Sequence, residues 1–164
     1  MALTKVQGEG ISGVSISANN EITMSSQPAF LAKLSSQQAN IAVGSNTTIQ
    51  FATEVFDQNT DFDTSNYTFT APKTGRYQFN VNVLVTTLDS ASSYYQLQLI
   101  TSNRTYYHTV DPDFGQDNTY FNQDLSVLVD MDASDTAVVQ ILQASGTQQT
   151  DLDAVSTFSG FLAC

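Results

Sequence analysis

Cysteine is nearly missing from this chain: its one copy, Cys164, stands at the last position. No intrachain disulfide can form and no cysteine-based zinc site is available, so stability must come from packing or from association with other copies. Cations are scarce as well. Lys and Arg number 5 against 16 Asp and Glu, a formal net charge of -11. Nucleic acid and anionic membrane surfaces are both bound through clustered Lys or Arg, so neither is a partner. Charged residues of either sign make up 13% of the chain, about half the globular norm of roughly 25%, which leaves Ser, Thr, Asn and Gln to cover the surface. No run approaches the roughly 20 apolar residues of a membrane-spanning helix, so no membrane insertion is expected. The stretch Met1 to Gly10 holds no apolar segment of signal-peptide length, and the expectation is a protein made and assembled inside a cell.

What is present is enough apolar surface to fold. Hydrophobic residues are 41% of the 164, with 10 Phe and 7 Tyr, well above the composition of a disordered acidic tail. Their spacing has period two. Tyr77, Phe79, Val81, Val83 and Val85 alternate with Gln78, Asn80, Asn82 and Thr86 around them, which describes a long strand with one buried face. The same alternation marks Tyr95, Leu97 and Leu99, and again Leu125, Val127, Val129 and Met131; β-branched residues gather near Ile49 and from Ala137 to Ile141. Turn-forming clusters separate these runs, as at Asp57 to Asp61, Pro72 to Gly75, Asp111 to Gly115, Asp132 to Asp135 and Ala144 to Gly146. No segment keeps a helical apolar stripe for three turns. Many short strands at close spacing predict an all-β antiparallel sandwich or barrel.

Residues 1–27 read differently. Val6, Ile11, Val14, Ile16, Ile22 and Met24 are scattered among Gly, Ser and Asn, too few for a core of their own. Such a segment is either a flexible tail or a strand-rich stalk that gains order by winding with copies of itself or by docking on a larger body. The predicted division is an N-terminal attachment segment over 1–27 and a folded domain over 28–164, with Val6, Ile11, Val14 and Ile16 as the attachment residues.

The order Phe51, Asp57, Phe62, Phe69, Gly75, Tyr77, Phe79 resembles the signature of the C1q domain, the globular head of the C1q and tumour-necrosis-factor-like superfamily. Two flanking pieces agree: Ser26 to Ala32 is similar to that family's opening strand, and Thr157 to Leu162 to its closing strand. Val81 departs from the family's usual Phe or Tyr, and Met131 to Asp135 from a frequent Gly-Asp turn. The resemblance implies a C1q/TNF-like jelly-roll sandwich that associates as a homotrimer. Independently of it, the aromatics at 69, 77 and 79 sit on alternating strand positions and suit burial between two sheets. Gly75 suits a turn of positive φ or a close backbone approach.

The closing strand offers its own argument for association. Phe158 and Phe161 are an odd number of positions apart, so a regular strand turns them to opposite faces, with Leu162 beside Phe158. Leu128 is likewise turned away from Leu125, Val127 and Val129. Burial on both faces needs a partner beyond the domain's own second sheet, and Leu128, Phe158, Phe161 and Leu162 are the predicted trimer-interface residues. Isolated apolar residues on a surface are the plainer alternative.

Catalytic chemistry finds little support in the residues. His108, the single histidine, stands in Thr105-Tyr106-Tyr107-His108 without a nucleophile-elbow serine elsewhere, and the 8 glycines are dispersed, with no phosphate-cradling loop. No catalytic residue and no cofactor are predicted. Aspartates cluster in loops at 57, 61 and 63, at 111, 113 and 117, and at 130, 132 and 135. Calcium is the one ion such oxygens would suit, but no EF-hand pattern is present and solvated loop aspartates are the favoured reading.

Two function classes fit. One is a soluble ligand or lectin-type recognition protein of the C1q kind. The other, favoured by the low-charge amide-rich surface and the β-rich N-terminal segment, is a non-enzymatic virion protein: a trimeric phage fibre, spike or decoration knob. Its N-terminus would join other virion proteins, and its knob would bind host surface glycan or protein.

Overall fold

The computed structural model describes residues 14–19 and 21–164. All regular structure among them is strand, and no helix there is long and apolar enough to cross a membrane. A hairpin of β1 (Val14–Ile16) and β2 (Ile22–Met24) precedes the main body. The body contains β3 (Ala29–Lys33), β4 (Asn46–Thr48), β5 (Thr53–Asp57), β6 (Phe62–Asp63), β7 (Thr68–Thr70), β8 (Gly75–Leu88) and β9 (Tyr95–Thr101). It continues with β10 (Thr105–Val110), β11 (Asn118–Met131), β12 (Thr136–Gln143), β13 (Asp151–Leu152) and β14 (Thr157–Leu162).

Two sheets face each other. The first has the order β11-β8-β14-β3-β5, with β13 also on β8; the second has the order β10-β9-β12-β7-β6, with β4 also on β12. All the strand pairs are antiparallel. Strands adjacent in a sheet are distant in sequence, as β14 is from both β8 and β3, which is the crossing pattern of a jelly roll. The all-β jelly-roll expectation holds.

The period-two reading of β8 is met residue by residue. Tyr77, Phe79, Val81, Val83 and Val85 are all buried, and so are Tyr95, Leu97 and Leu99 of β9. Opposite them, Val129 and Met131 are buried, while Leu125 and Val127 are half-buried against the core. The centre is aromatic. Phe30 stacks on Phe62 at 4.9 Å and on Phe69 at 5.0 Å, and meets Phe158 edge-on at 5.0 Å. Phe158 also touches the rings of Phe51 and Phe79 at 5.7 and 5.6 Å. Offset and edge-on contacts of this kind suit the ring quadrupoles and add to the burial of each ring.

Two glycines of the closing region permit close approaches. A Cβ on Gly160 would lie 2.5 Å from the Phe79 ring and 2.9 Å from that of Phe30. A Cβ on Gly75 would lie 2.7 Å from the carbonyl oxygen of Cys164, at the place where Arg76 N donates to that same oxygen at 2.7 Å. Of the two sequence explanations for Gly75, close backbone approach is the one that applies; its φ is not among the positive values. Asp57 owes its place in the signature to a turn, since its carboxylate accepts from the backbone N–H of Asn59 and of Phe62 at 3.2 and 2.8 Å.

These contacts fix expected costs of substitution. Phe158→Ala should destabilise by about 3–5 kcal/mol, as an aromatic removed from a filled core. Gly160→Ala should cost about 1–3 kcal/mol or more, because the rings it meets cannot retreat. Gln78→Ala, on the other face of β8, loses the bonds of its Nε2 to Ser126 Oγ and to the Phe79 carbonyl, both at 3.0 Å, and a longer one to Asn80 Oδ1, and about 0.5–1.5 kcal/mol is expected. Urea unfolding measures all three, and equal losses at 158 and 78 would mean that the register is wrong.

Candidate functional site

Because side chains alternate across a strand, the first sheet has a second face that points away from the core. Register places its residues in rungs. Leu128 on β11 lies opposite Gln78 on β8, Gln78 opposite Phe161 on β14, and Phe161 opposite Ala29 on β3. The next rung runs Ser126, Asn80, Ser159, Leu31 and Phe56. Polar groups of this face are bound to one another: Gln78 Nε2 donates to Ser126 Oγ at 3.0 Å, Ser126 Oγ to Asn80 Oδ1 at 2.8 Å, and Asn122 Nδ2 to Asp124 Oδ2 at 2.8 Å. The apolar side chains project past them, Leu128 54% and Phe161 45% exposed.

The structure therefore brings Leu128 and Phe161 to one rung of one face. Phe158 is corrected: it is fully buried in the aromatic core of the single chain and has no surface to give to a neighbour. It faces inward as alternation requires, but the domain's own second sheet covers it, which sequence spacing does not reveal. Leu162 shares its side of β14 and is half-buried against the core. Two further apolar residues escaped the sequence reading. Val55 and Phe56 are neighbours in β5, and both are about half exposed; the register shifts between Leu31 and Ala32, whose partners are Phe56 and Glu54, so Val55 is left unpaired by a bulge. Tyr120, near the start of β11, is 69% exposed and also points outward. Its signal was the continuation of the Leu128 alternation back along β11.

Val14 and Ile16 lie in the N-terminal hairpin, while Val6 and Ile11 lie outside the described residues. A groove of about 360 Å³ runs between the hairpin and the end of the chain, lined by Val14, Met24, Gln27, Leu162 and Cys164 among others.

The aspartate loops serve their own turns. Asp63 accepts from Ser65 and Asn66, and the Ser65 bonds hold its carboxyl below the usual range. Asp130 pairs with Arg104 at 2.8 Å, and Asp135 accepts from the N–H of Asp132 at 2.8 Å. Burial, with Asp57 near, pushes Asp61 up. Among the described residues no group of three or more His, Cys, Asp or Glu is placed to hold a metal ion. His108 sits on the core-facing side of β10, opposite Leu97, and its Nδ1 is buried without a hydrogen-bond partner. Nothing bonded to that nitrogen orients the ring as a general base would require.

The model of the C1q domain matches residues 29–163. A search of curated proteins finds no match. Among solved structures, the globular domain of zebrafish complement 1qA superposes with a TM-score of 0.61 at 16% identity, covering 84% of this chain and 98% of that one. Two structures of murine APRIL superpose with TM-scores of 0.58 and 0.57 at 13% and 12% identity, each covering 83% of this chain and 98% of that one. At such identities the likeness is one of fold.

Asp117 provides a pH test of the loop that leads into β11. Its carboxylate accepts from the N–H and the hydroxyl of Ser90, both at 2.9 Å, and from Gln149 Nε2 at 2.8 Å. The Ser90 backbone bond foremost holds its carboxyl below the ordinary value. A carboxyl depressed in the folded state stabilises the fold above its unfolded pKa and ceases to as pH falls through the folded one. The Asp117 carboxyl carbon followed by NMR should titrate below the ordinary value of 3.8, with the Ser90 amide moving at the same midpoint. Asp117→Asn should abolish that movement, and a midpoint above the ordinary value would contradict the bonds.

Proposed function

Because the chain belongs to the C1q domain family, matched over residues 29–163, whose members form homotrimers and are generally non-enzymatic, we propose that it is a trimeric, non-enzymatic recognition head. The observation that carries this reading is the set of apolar side chains on the outward face of the first sheet. Leu128 stands on its β11 side, with Tyr120 further back along the same strand beyond Ser126, Asp124 and Asn122; Phe161, Leu31 and Phe56 occupy the β14, β3 and β5 side. Different apolar side chains at the two sides of one face are what a closed ring needs, since each protomer then sets its β11 side against its neighbour's other side. The jelly-roll frame holds the loops rigid, and clefts between protomers or the loop tips take a host surface glycan or protein.

The particle carrying such a head is a virion, with the chain serving as a fibre, spike or decoration knob and its N-terminal segment joining other virion proteins. Support comes from the 13% charge content with its uncharged polar surface, and from the placement of the hairpin at one end of the body, joined to β3 through Ser25 to Pro28.

Light scattering on the purified chain should return three times 17.8 kDa. Leu128→Asp and Phe161→Asp should each give a folded single copy, because both side chains are exposed on the isolated chain and a carboxylate in an apolar contact without a partner is strongly disfavoured. One copy for the unmodified chain at micromolar concentration overturns the reading. For the particle, full-length protein and protein lacking residues 1–27 are mixed with particles that lack it, and only the full-length form should co-sediment. Equal binding of the two would move attachment to the knob.

A further inference from the structure

The outward face of the second sheet differs in character from that of the first. Its strands β4, β7, β9, β10 and β12 contain no Asp, Glu, Lys or Arg, although the chain as a whole carries a net charge of -11. Their one histidine, His108, is on the core side of β10. The outward face of the first sheet, by contrast, carries Lys33, Arg76, Asp124 and Asp130 besides its apolar residues. Within the five uncharged strands the one exposed large apolar side chain is Tyr107, at 56%. Register sets it in a rung with Gln98 on β9, Gln140 on β12 and Thr48 on β4. Four neighbouring strands make that rung about 14 Å wide.

The amides of this face are fixed by bonds to one another. Gln96 Nε2 donates to Thr109 Oγ1 at 3.0 Å, and Gln98 Nε2 donates to Gln96 Oε1 at 2.9 Å. Asn46 and Gln98 exchange bonds at 3.3 and 3.2 Å, and Gln140 Nε2 donates to Thr48 Oγ1 at 3.2 Å. A free glutamine has many rotamers, so side chains already held in place in the unbound protein lose less freedom when a ligand arrives. A primary amide has two N–H donors, so Gln96 and Gln140 each keep one beyond these bonds.

We propose that this face binds an uncharged oligosaccharide, with a sugar ring stacked on Tyr107 and sugar hydroxyls bonded to Gln96 and Gln140. This rests on the recognition-head reading above and gives it a ligand class and a place that each copy carries whole. The chemistry of the face selects the ligand. A sugar hydroxyl both donates and accepts, as these amides and threonine hydroxyls do, whereas a carboxylate only accepts and an ammonium only donates. A pyranose ring has an apolar C–H side that fits the apolar body of an exposed tyrosine. Anionic glycans find no cation in these strands, and the net charge of the chain repels them. A protein partner needs an apolar centre to its contact, which a single tyrosine does not supply.

A printed array of neutral oligosaccharides and their sialylated and sulfated counterparts tests the face in the full-length chain. Neutral members should retain the protein and their anionic counterparts should not. Tyr107→Ser removes the stacking ring and Gln140→Glu places a charge in the central rung; each variant, checked for folding by circular dichroism, should bind about tenfold more weakly, as expected for a residue central to a contact. Neutral glycans retained equally by both variants, or anionic glycans retained alone, overturn this face and leave the recognition head standing. Retention of no glycan overturns the face and the glycan part of that reading together. Light scattering on the same samples reports the trimer separately.

Discussion

The packing of Phe158 between the rings of Phe30 and Phe79, over a glycine at 160, is the contact on which the rest of the molecule depends. It joins the last strand to β3 on one side and β8 on the other, and the absence of a side chain at 160 lets both rings approach. A one-residue slip of β14 would turn Phe158 into water and drive Phe161 into the core, so its register is strongly specified. With that register set, Phe161 has to face outward, and Leu128, joined through Gln78, stands on the same rung. The exposed apolar face is therefore a consequence of how the core closes.

Carboxylates in this acidic chain hold backbone turns. Asp57 holds the turn that leads from β5 to β6. Asp89 is buried, accepts from the N–H groups of Ala91 and Thr147, and so joins the loop after β8 to the loop after β12. A side chain on Gly146 would collide with that carboxylate, and its positive φ suits glycine. Tyr95 completes the junction: its hydroxyl accepts from the Asp89 N–H at 3.0 Å and bonds Thr150 Oγ1 at 2.7 Å. These bonds tie the two loops to each other and to β9.

The exposed apolar side chains of β14 and of the hairpin lie near one end of the first sheet. Phe161 belongs to the body and Ile16 and Ile22 to the hairpin, yet the chain between them is short and its carbonyls are held by Gln58 and Asn59.

Period two is a local property, and it determined much of this protein directly from the residues: the long β8, the buried sides of β9 and β11, the opposite facing of Phe158 and Phe161, and the outward turn of Leu128. Asp57 was legible for the same reason, since it answers to a local turn, whereas Gly75 answers to the close approach of Cys164 from the far end of the chain. What residue order did not contain was the partner of each strand. That Phe158 is covered within the single chain depends on β14 lying between β8 and β3. That Leu128 and Phe161 share a rung depends on pairings between segments far apart in the chain. The exposure of Val55 beside Phe56 depends on a bulge against β3. Alternation decides which way a side chain points, whereas only the closed arrangement of strands decides what lies there to meet it.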